Sequence, residues 1–300
     1  MNHSRLLTCA LLLAAPCLGR AADSPPVTTN PFFAFCMDVQ DSKKRSLPEQ
    51  ASLLKELGYD GAGHLWLEKI PERLQTLDAA GLKLVQIQTI VDISPGKPAY
   101  NPRLKEVFSL LKGRAVQIDL MINGRPPGDP AGEARAIEVL RELSDLAKDS
   151  GAELLLYHHA GSWLERIDDT LRLADEVNRP NVQVMFNLCH WLRVEKTRDY
   201  RPALERALPR LRAVSINGAD EFSKATDWSG YIQPLGHGSF DVFKFLKTLR
   251  ELGYARPIGL QCYGVGGDAR DHLAQSIKAW RDYSARLPAL PSAAAASAIH

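Results

Sequence analysis

Histidine, tyrosine and amide side chains gather at one kind of place in this sequence, the downstream ends of short apolar runs. Tyr157, His158 and His159 close the run ELLLYHH (153–159), Asn187 and His190 follow VQVMFNL (182–188), and Asn217 ends AVSING (213–218). Gln261 and Tyr263 fall late in PIGLQCYG (257–264), Gln88 in KLVQIQTIV (83–91) and His64 in YDGAGHL (59–65). Asp38, Asp92, Asn123, Asp220 and His237 occupy comparable positions. An imidazole ordinarily titrates near pH 6.5, so His159 or His190 could serve as a general base with no large pKa shift. Some of these residues have simpler explanations. Asn123-Gly124 and Asn217-Gly218 equally make turns, Asp38 could cap the turn after it, and strand alternation allows His158 to point away from Tyr157 and His159.

Hard divalent cations prefer carboxylates, and amides bind them weakly. The candidates here are mostly amides, imidazoles and a phenol, so a three-carboxylate metal site looks absent. A histidine-based site using His159, His190 and either His64 or His237 stays open, and no metal ligand is assigned.

The elements that must position these residues alternate eight times. The remaining apolar runs are FFAFCM (32–37) and AVQIDLMI (115–122). Between the runs, Leu67, Ile70, Leu74 and Leu77 have helical spacing, as do Leu164, Ile167, Leu171 and Ala174, and Val242, Phe243, Leu246 and Leu249 form a third stripe. Gly58, Gly81, Gly151 and Gly253 sit where helices should end in a residue of positive φ. Strands alternating with helices imply parallel pairing through right-handed crossovers. Eight units over residues 31–284 match the ~250 residues of a (β/α)8 barrel. An open doubly wound sheet usually carries a glycine-rich loop after its first strand, and Cys36-Met37-Asp38-Val39 has none. The expected fold is a single (β/α)8 TIM barrel with a parallel eight-stranded sheet, its site at the C-terminal ends of the strands.

Residues 1–22 read as a signal peptide: Arg5 precedes an apolar run from Leu6 to Ala15, too short to span a bilayer, and small residues follow. A periplasmic or secreted product is expected. Lys+Arg number 37 and Asp+Glu 35, for a net charge of +2, and Arg5 and Arg20 account for that excess. The balanced remainder has no electrostatic footprint for nucleic acid or an anionic membrane, and no later stretch is long enough for an integral membrane segment. Oligomerisation is left open. Beyond the leader, Cys36, Cys189 and Cys262 are an odd set that implies no disulfide scaffold. Ring closure would make a Cys36–Cys262 bridge feasible, with buried free thiols as the alternative. Residues 285–300, rich in Ala and Pro, are expected to be a disordered tail.

The ordered set Leu156-Tyr157-His158-His159-Ala160-Gly161, Phe186 to Leu192, Val214 to Asp220, Ile232 to Gly238 and Gly259 to Gly264 resembles the xylose isomerase-like barrel superfamily of sugar isomerases, epimerases and inosose dehydratase-like enzymes. The resemblance implies a glutamate at the end of strand 5, an aspartate on strand 6, a basic or histidine-bearing strand 7 and a glutamate on strand 8. Here those places read Tyr157, Asn187, Ser215 with Asn217, and Gln261. Three carboxylate metal ligands are therefore replaced, two of them also the acid–base pair of typical epimerases. A divalent metal is possible but its usual ligands are missing, and the cofactor is unknown. His159 and His190 are retained.

What carries over is a pocket of neutral hydrogen-bonding groups, suited to a polyhydroxylated small molecule whose hydroxyls both donate and accept. The expected function is an exported sugar isomerase, epimerase or lyase acting by proton abstraction, with His159 and His190 catalytic. His64, Gln88, Tyr157, Asn187, Trp191, Asn217, His237 and Gln261 would bind the sugar, with Trp191, Trp163 or Trp228 as a stacking face. One alternative is a non-catalytic carbohydrate-binding barrel that has lost its metal ligands. Another is a glycoside hydrolase, needing two facing carboxylates from Asp38, Asp92, Asp119 and Asp220.

Overall fold

The computed structural model describes residues 30–290, in which eight strands close into one parallel barrel in chain order. The strands are β1 (Phe32–Phe35), β2 (Gly61–Leu65), β3 (Lys83–Asp92), β4 (Gln117–Asn123), β5 (Glu153–Tyr157), β6 (Val182–Asn187), β7 (Leu211–Ile216) and β8 (Ile258–Gln261). All eight expected runs form strands. The helices are α1 (Leu47–Leu57), α2 (Ile70–Ala80), α3 (Leu104–Leu110), α4 (Glu133–Ala147), α5 (Ile167–Val177), α6 (Leu188–Val194), α7 (Arg201–Ala207), α8 (Val242–Glu251) and α9 (Ala269–Arg286). Two helices, α6 and α7, fill the crossover between β6 and β7, and α9 runs two residues past the expected barrel end at 284. The expected leader over 1–22 and the tail beyond residue 290 lie outside the described residues.

Closure is made by β1 against β8, in register from Phe32 opposite Ile258 to Phe35 opposite Gln261. The helix ends follow local chemistry. Ser46 and Glu49 form a reciprocal capping box on α1, and Gly58, Gly81, Gly151 and Gly253 all have φ between 74° and 82°. Outward-facing Ile118, Leu120 and Ile122 on β4 share one buried apolar layer with Val139, Leu140 and Leu143 of α4. Phe32 stacks on Trp280, ring centroids 4.3 Å apart, and ties the first strand to the last helix.

The barrel interior is filled from β1. A Cβ on Gly63 would lie 2.2 Å from the Phe35 ring, and one on Gly259 2.8 Å from the Phe33 ring. The two glycines leave the space the phenylalanines occupy. Replacing Gly63 by alanine is expected to destabilise the protein by about 1–3 kcal/mol through overpacking. Gly266→Ala, where nothing lies within 4 Å of the added atom, should stay within about 0.5 kcal/mol of the parent. Urea unfolding of both variants checks this, and equal stabilities would refute the packing argument. Toward the strand N-termini the interior turns polar: Gln86 donates to Gln117, and Gln117 and Arg212 both donate to Glu153. Cys36, Cys189 and Cys262 are free and buried, so β1 and β8 are neighbours as expected but the feasible bridge is not formed.

Candidate active site

At the C-terminal mouth of the barrel lies a cavity of about 280 Å³, lined by Cys36, Leu65, Trp66, Gln88, Met121, Tyr157, His159, His190, Trp228, Ile232, Gln261 and Tyr263. Five expected site residues thus meet in one place: Gln88, Tyr157, His159, His190 and Gln261. Tyr157, the last residue of β5, forms the centre of the floor. Its hydroxyl oxygen is 2.5 Å from Asn187 Nδ2, 3.2 Å from His190 Nε2 and 3.5 Å from Gln261 Nε2. Asn187, the last residue of β6, is fully buried and acts on the pocket through this phenol. Burial pushes the Tyr157 phenol well above its ordinary range, so it stays protonated at neutral pH.

The partners fix the two imidazoles in different states. His159 Nδ1 lies 3.0 Å from the Ala160 carbonyl, which can only accept, so Nδ1 carries the proton. Nε2 then keeps a free lone pair. Burial lowers the His159 pKa to about 4, and the ring is neutral at pH 7. For His190, Nδ1 accepts from the Ala160 backbone N–H at 3.3 Å, which places the proton on Nε2, facing Tyr157. Desolvation holds His190 well below the usual imidazole range. The rings stand 4.0 Å apart between centroids, an arrangement that suits two neutral imidazoles. His159 is the one with a nitrogen to spare.

The mouth is built by loops. Trp228 comes from the long segment between β7 and α8, which is folded back by pairing of Gly218 with Gln233. Asn217 Nδ2 holds the same segment through the carbonyls of Gly218 and Tyr231 at 2.7 and 2.6 Å. Arg193, on α6, lies 4.3 Å from the Trp228 ring centroid and donates to the carbonyls of Thr226 and Asp227. Trp66 follows β2 with φ 68°, a left-handed conformation rare for so bulky a residue. Its N–H donates to the Gln88 carbonyl, and its indole is 41% exposed at the rim beside Tyr263 at 43%.

Other expected site residues lie elsewhere. His64 points away from the cavity: Nε2 donates to the Glu68 carbonyl and Nδ1 accepts from buried Arg73, which also donates to Gln50. Trp191 is buried in α6, packed against Phe186 and Tyr200, and Trp228 takes the aromatic place. Asn217 is a buried loop anchor, and His237 is exposed outside the cavity lining. His158 faces outward as alternation allows, accepting from the Asn187 N–H and lying edge-on to Phe186, with burial lowering its pKa to about 3. Trp66, Met121, Ile232 and Leu65 escaped the sequence reading, although Met121 and Leu65 could be reached by alternation from inward neighbours.

Among the described residues no carboxylate lines the cavity. Asp92 caps Ser94, Asp220 receives Gln233, Asp38 lies near Arg73 and Asp119 is deep in the barrel, so the two facing acids of a glycoside hydrolase are missing there. A divalent metal fits the floor poorly. The Tyr263 N–H donates to Gln261 Oε1, which turns the amide N–H groups of Gln261 inward, and Asn187 also directs Nδ2 to the phenol. These groups donate where a cation needs lone pairs. Among the described residues no three His, Cys, Asp or Glu side chains cluster as ligands.

A parallel barrel with a polar, imidazole-bearing mouth defines a class of fold and site. The chain belongs to the xylose isomerase-like TIM barrel family, whose profile it matches over residues 51–283. A ketose 3-epimerase from Arthrobacter globiformis is 27% identical over 159 residues, covering 52% of this chain and 50% of that enzyme. The match thus spans about half the length of the relative. A D-allulose 3-epimerase structure from Methylomonas sp. superimposes with a TM-score of 0.67 at 15% identity, over 85% of this chain and 98% of that one. An IolI protein with a bound zinc atom gives 0.69 at 17% identity, over 86% and 99%. At such identities these structures share the fold. No helix among the described residues is long and apolar enough to cross a membrane.

Proposed function

We propose that this chain is an exported enzyme that isomerises, epimerises or eliminates on a sugar or keto-sugar by removing a proton beside a carbonyl. The observation that carries this is the free Nε2 of neutral His159, set in a cavity that it shares with the amides of Gln88 and Gln261, the phenols of Tyr157 and Tyr263 and the neutral imidazole of His190. A C–H next to a carbonyl loses its proton to that nitrogen, and Gln88 and Gln261 orient hydroxyls. Trp228 offers its face to the apolar side of a sugar ring. The similarity to a ketose 3-epimerase supports the substrate class, and the leader supports a periplasmic or secreted location. N-terminal sequencing of the exported product tests the latter: an intact Met1 would refute it. The charge balance speaks against nucleic acid as a partner. The metal position is atypical, with ligands of the family type replaced, and no step is assigned to a metal.

A second reading, a carbohydrate-binding barrel without turnover, draws on the missing carboxylates. Nuclear magnetic resonance in D2O over a panel of ketoses and keto-sugars separates the two. Deuterium entering the carbon beside the carbonyl supports the enzyme, and saturable binding without exchange supports the second reading. Neither binding nor exchange removes the sugar assignment. Trp228→Ala is expected to weaken sugar binding about threefold to tenfold, the loss of about 0.5–1.5 kcal/mol of ring contact. Unchanged affinity would take Trp228 out of the site.

A further inference from the structure

We infer that Tyr157 is a catalytic hydrogen-bond donor, polarising the substrate carbonyl from the end of β5, where the resemblance implies a glutamate. The inference rests on the sugar reading above and deepens it. Tyr157 Oη is ringed by N–H donors whose direction is set independently of the phenol. His190 Nε2 carries its proton because Nδ1 accepts from the Ala160 backbone, and Gln261 presents Nε2 because Oε1 accepts from the Tyr263 backbone. Asn187 presents Nδ2 while its Oδ1 receives the Cys189 thiol. With Asn187 and His190 filling its two lone pairs and Gln261 Nε2 standing by at 3.5 Å, the phenol has its own O–H left to give, and the side chain borders the cavity.

This is the arrangement of an oxyanion hole built around a tyrosine instead of around the substrate. The Tyr157 and His159 rings are 5.9 Å apart between centroids, so one C–C=O unit can touch both. The C–H bond breaks, its proton goes to His159 Nε2, its electron pair becomes the C=C, and the carbonyl π pair moves onto oxygen. The resulting enediolate oxygen accepts the Tyr157 O–H, which stays on the phenol. Return of the proton from His159 to either carbon face restores the enzyme. No redox partner is involved.

Tyr157→Phe keeps the ring and removes the donor. Deuterium exchange into the substrate should fall at least about 10²-fold, while sugar binding, followed by tryptophan fluorescence, stays within about threefold. Because the Phe variant strands three buried N–H groups, Asn187→Leu provides a second route: it leaves the phenol in place, removes one supporting donor, and should slow exchange by about 10²-fold with binding unchanged. Exchange within threefold of the parent in both folded variants overturns the assignment of Tyr157 and leaves the sugar reading standing. Exchange by the parent that disappears on dialysis against a chelator and returns with a divalent cation also overturns it. No exchange by the parent on any sugar overturns the reading and the inference together.

Discussion

Replacing His159 by glutamine is expected to slow turnover by about 10² to 10⁴-fold, the usual worth of a positioned general base, while sugar affinity changes only a few-fold. Glutamine retains a polar end but no basic nitrogen. The pH profile distinguishes this from a binding defect. A base works deprotonated, and burial lowers His159 to about 4, so kcat/KM should rise with pH through about 4 and be level by pH 6. An acid limb near the ordinary imidazole value of about 6.5 would contradict the burial argument, and a fully active glutamine variant would sink the base assignment. His190→Gln is expected to be milder, because a glutamine N–H can still reach toward Tyr157. The contrast follows from hydrogen bonding: both His190 nitrogens are engaged, and one of His159's is not.

Much of this could be read from the chain, for a physical reason. Parallel strands buried on both faces must be apolar runs, and their crossovers must be helices, so the eight-fold alternation leaves few topologies. The ends of strands in such a barrel then collect polar groups, and Gln88, Tyr157, His159, His190 and Gln261 line one cavity there. Which face of a strand looks inward was harder. β2 reads Gly-Ala-Gly-His-Leu, and its glycines have no side chain to mark the interior, so the outward turn of His64 depends on Phe35 claiming the space over Gly63. Register irregularities at Ala62/Gly63 and Val184/Met185 blur alternation further. Of the expected stacking residues, Trp191 leaves the site because α6 begins immediately after β6 and carries it into the helix layer. A distant loop, held by Arg193 and Asn217, delivers Trp228. Long-range loop anchoring leaves no periodic trace.

Asp119 should make the protein less stable as pH rises, against the direction set by its histidines. It sits within β4, fully buried, and neither carboxyl oxygen meets a hydrogen-bonding partner in the protein. Desolvation raises its pKa well above the ordinary carboxylate value. An unfolded aspartic acid ionises near 3.9. Above that pH the unfolded chain releases a proton that the native state keeps, so this residue's contribution falls until the folded value is passed. His64, His158, His159, His190 and His272 have lowered pKa values in the fold. Their contribution is complete above about 6.5 and is lost as pH falls toward the folded values. Asp119→Asn removes one side of this opposition without changing shape. Relative to the parent, it should gain about 1.4 kcal/mol for each pH unit above about 4 over which native Asp119 stays protonated. The histidine contributions are common to both proteins and cancel in the difference. Urea unfolding at pH 4, 5.5 and 7 measures it, and a stability difference independent of pH would mean that Asp119 is ionised in the native barrel. Asp119→Leu, which buries no polar group, should exceed the asparagine variant at every pH if its extra volume is accommodated beside its register partners Gln88 and Leu155. No partner is lost in the exchange, since the carboxyl has none.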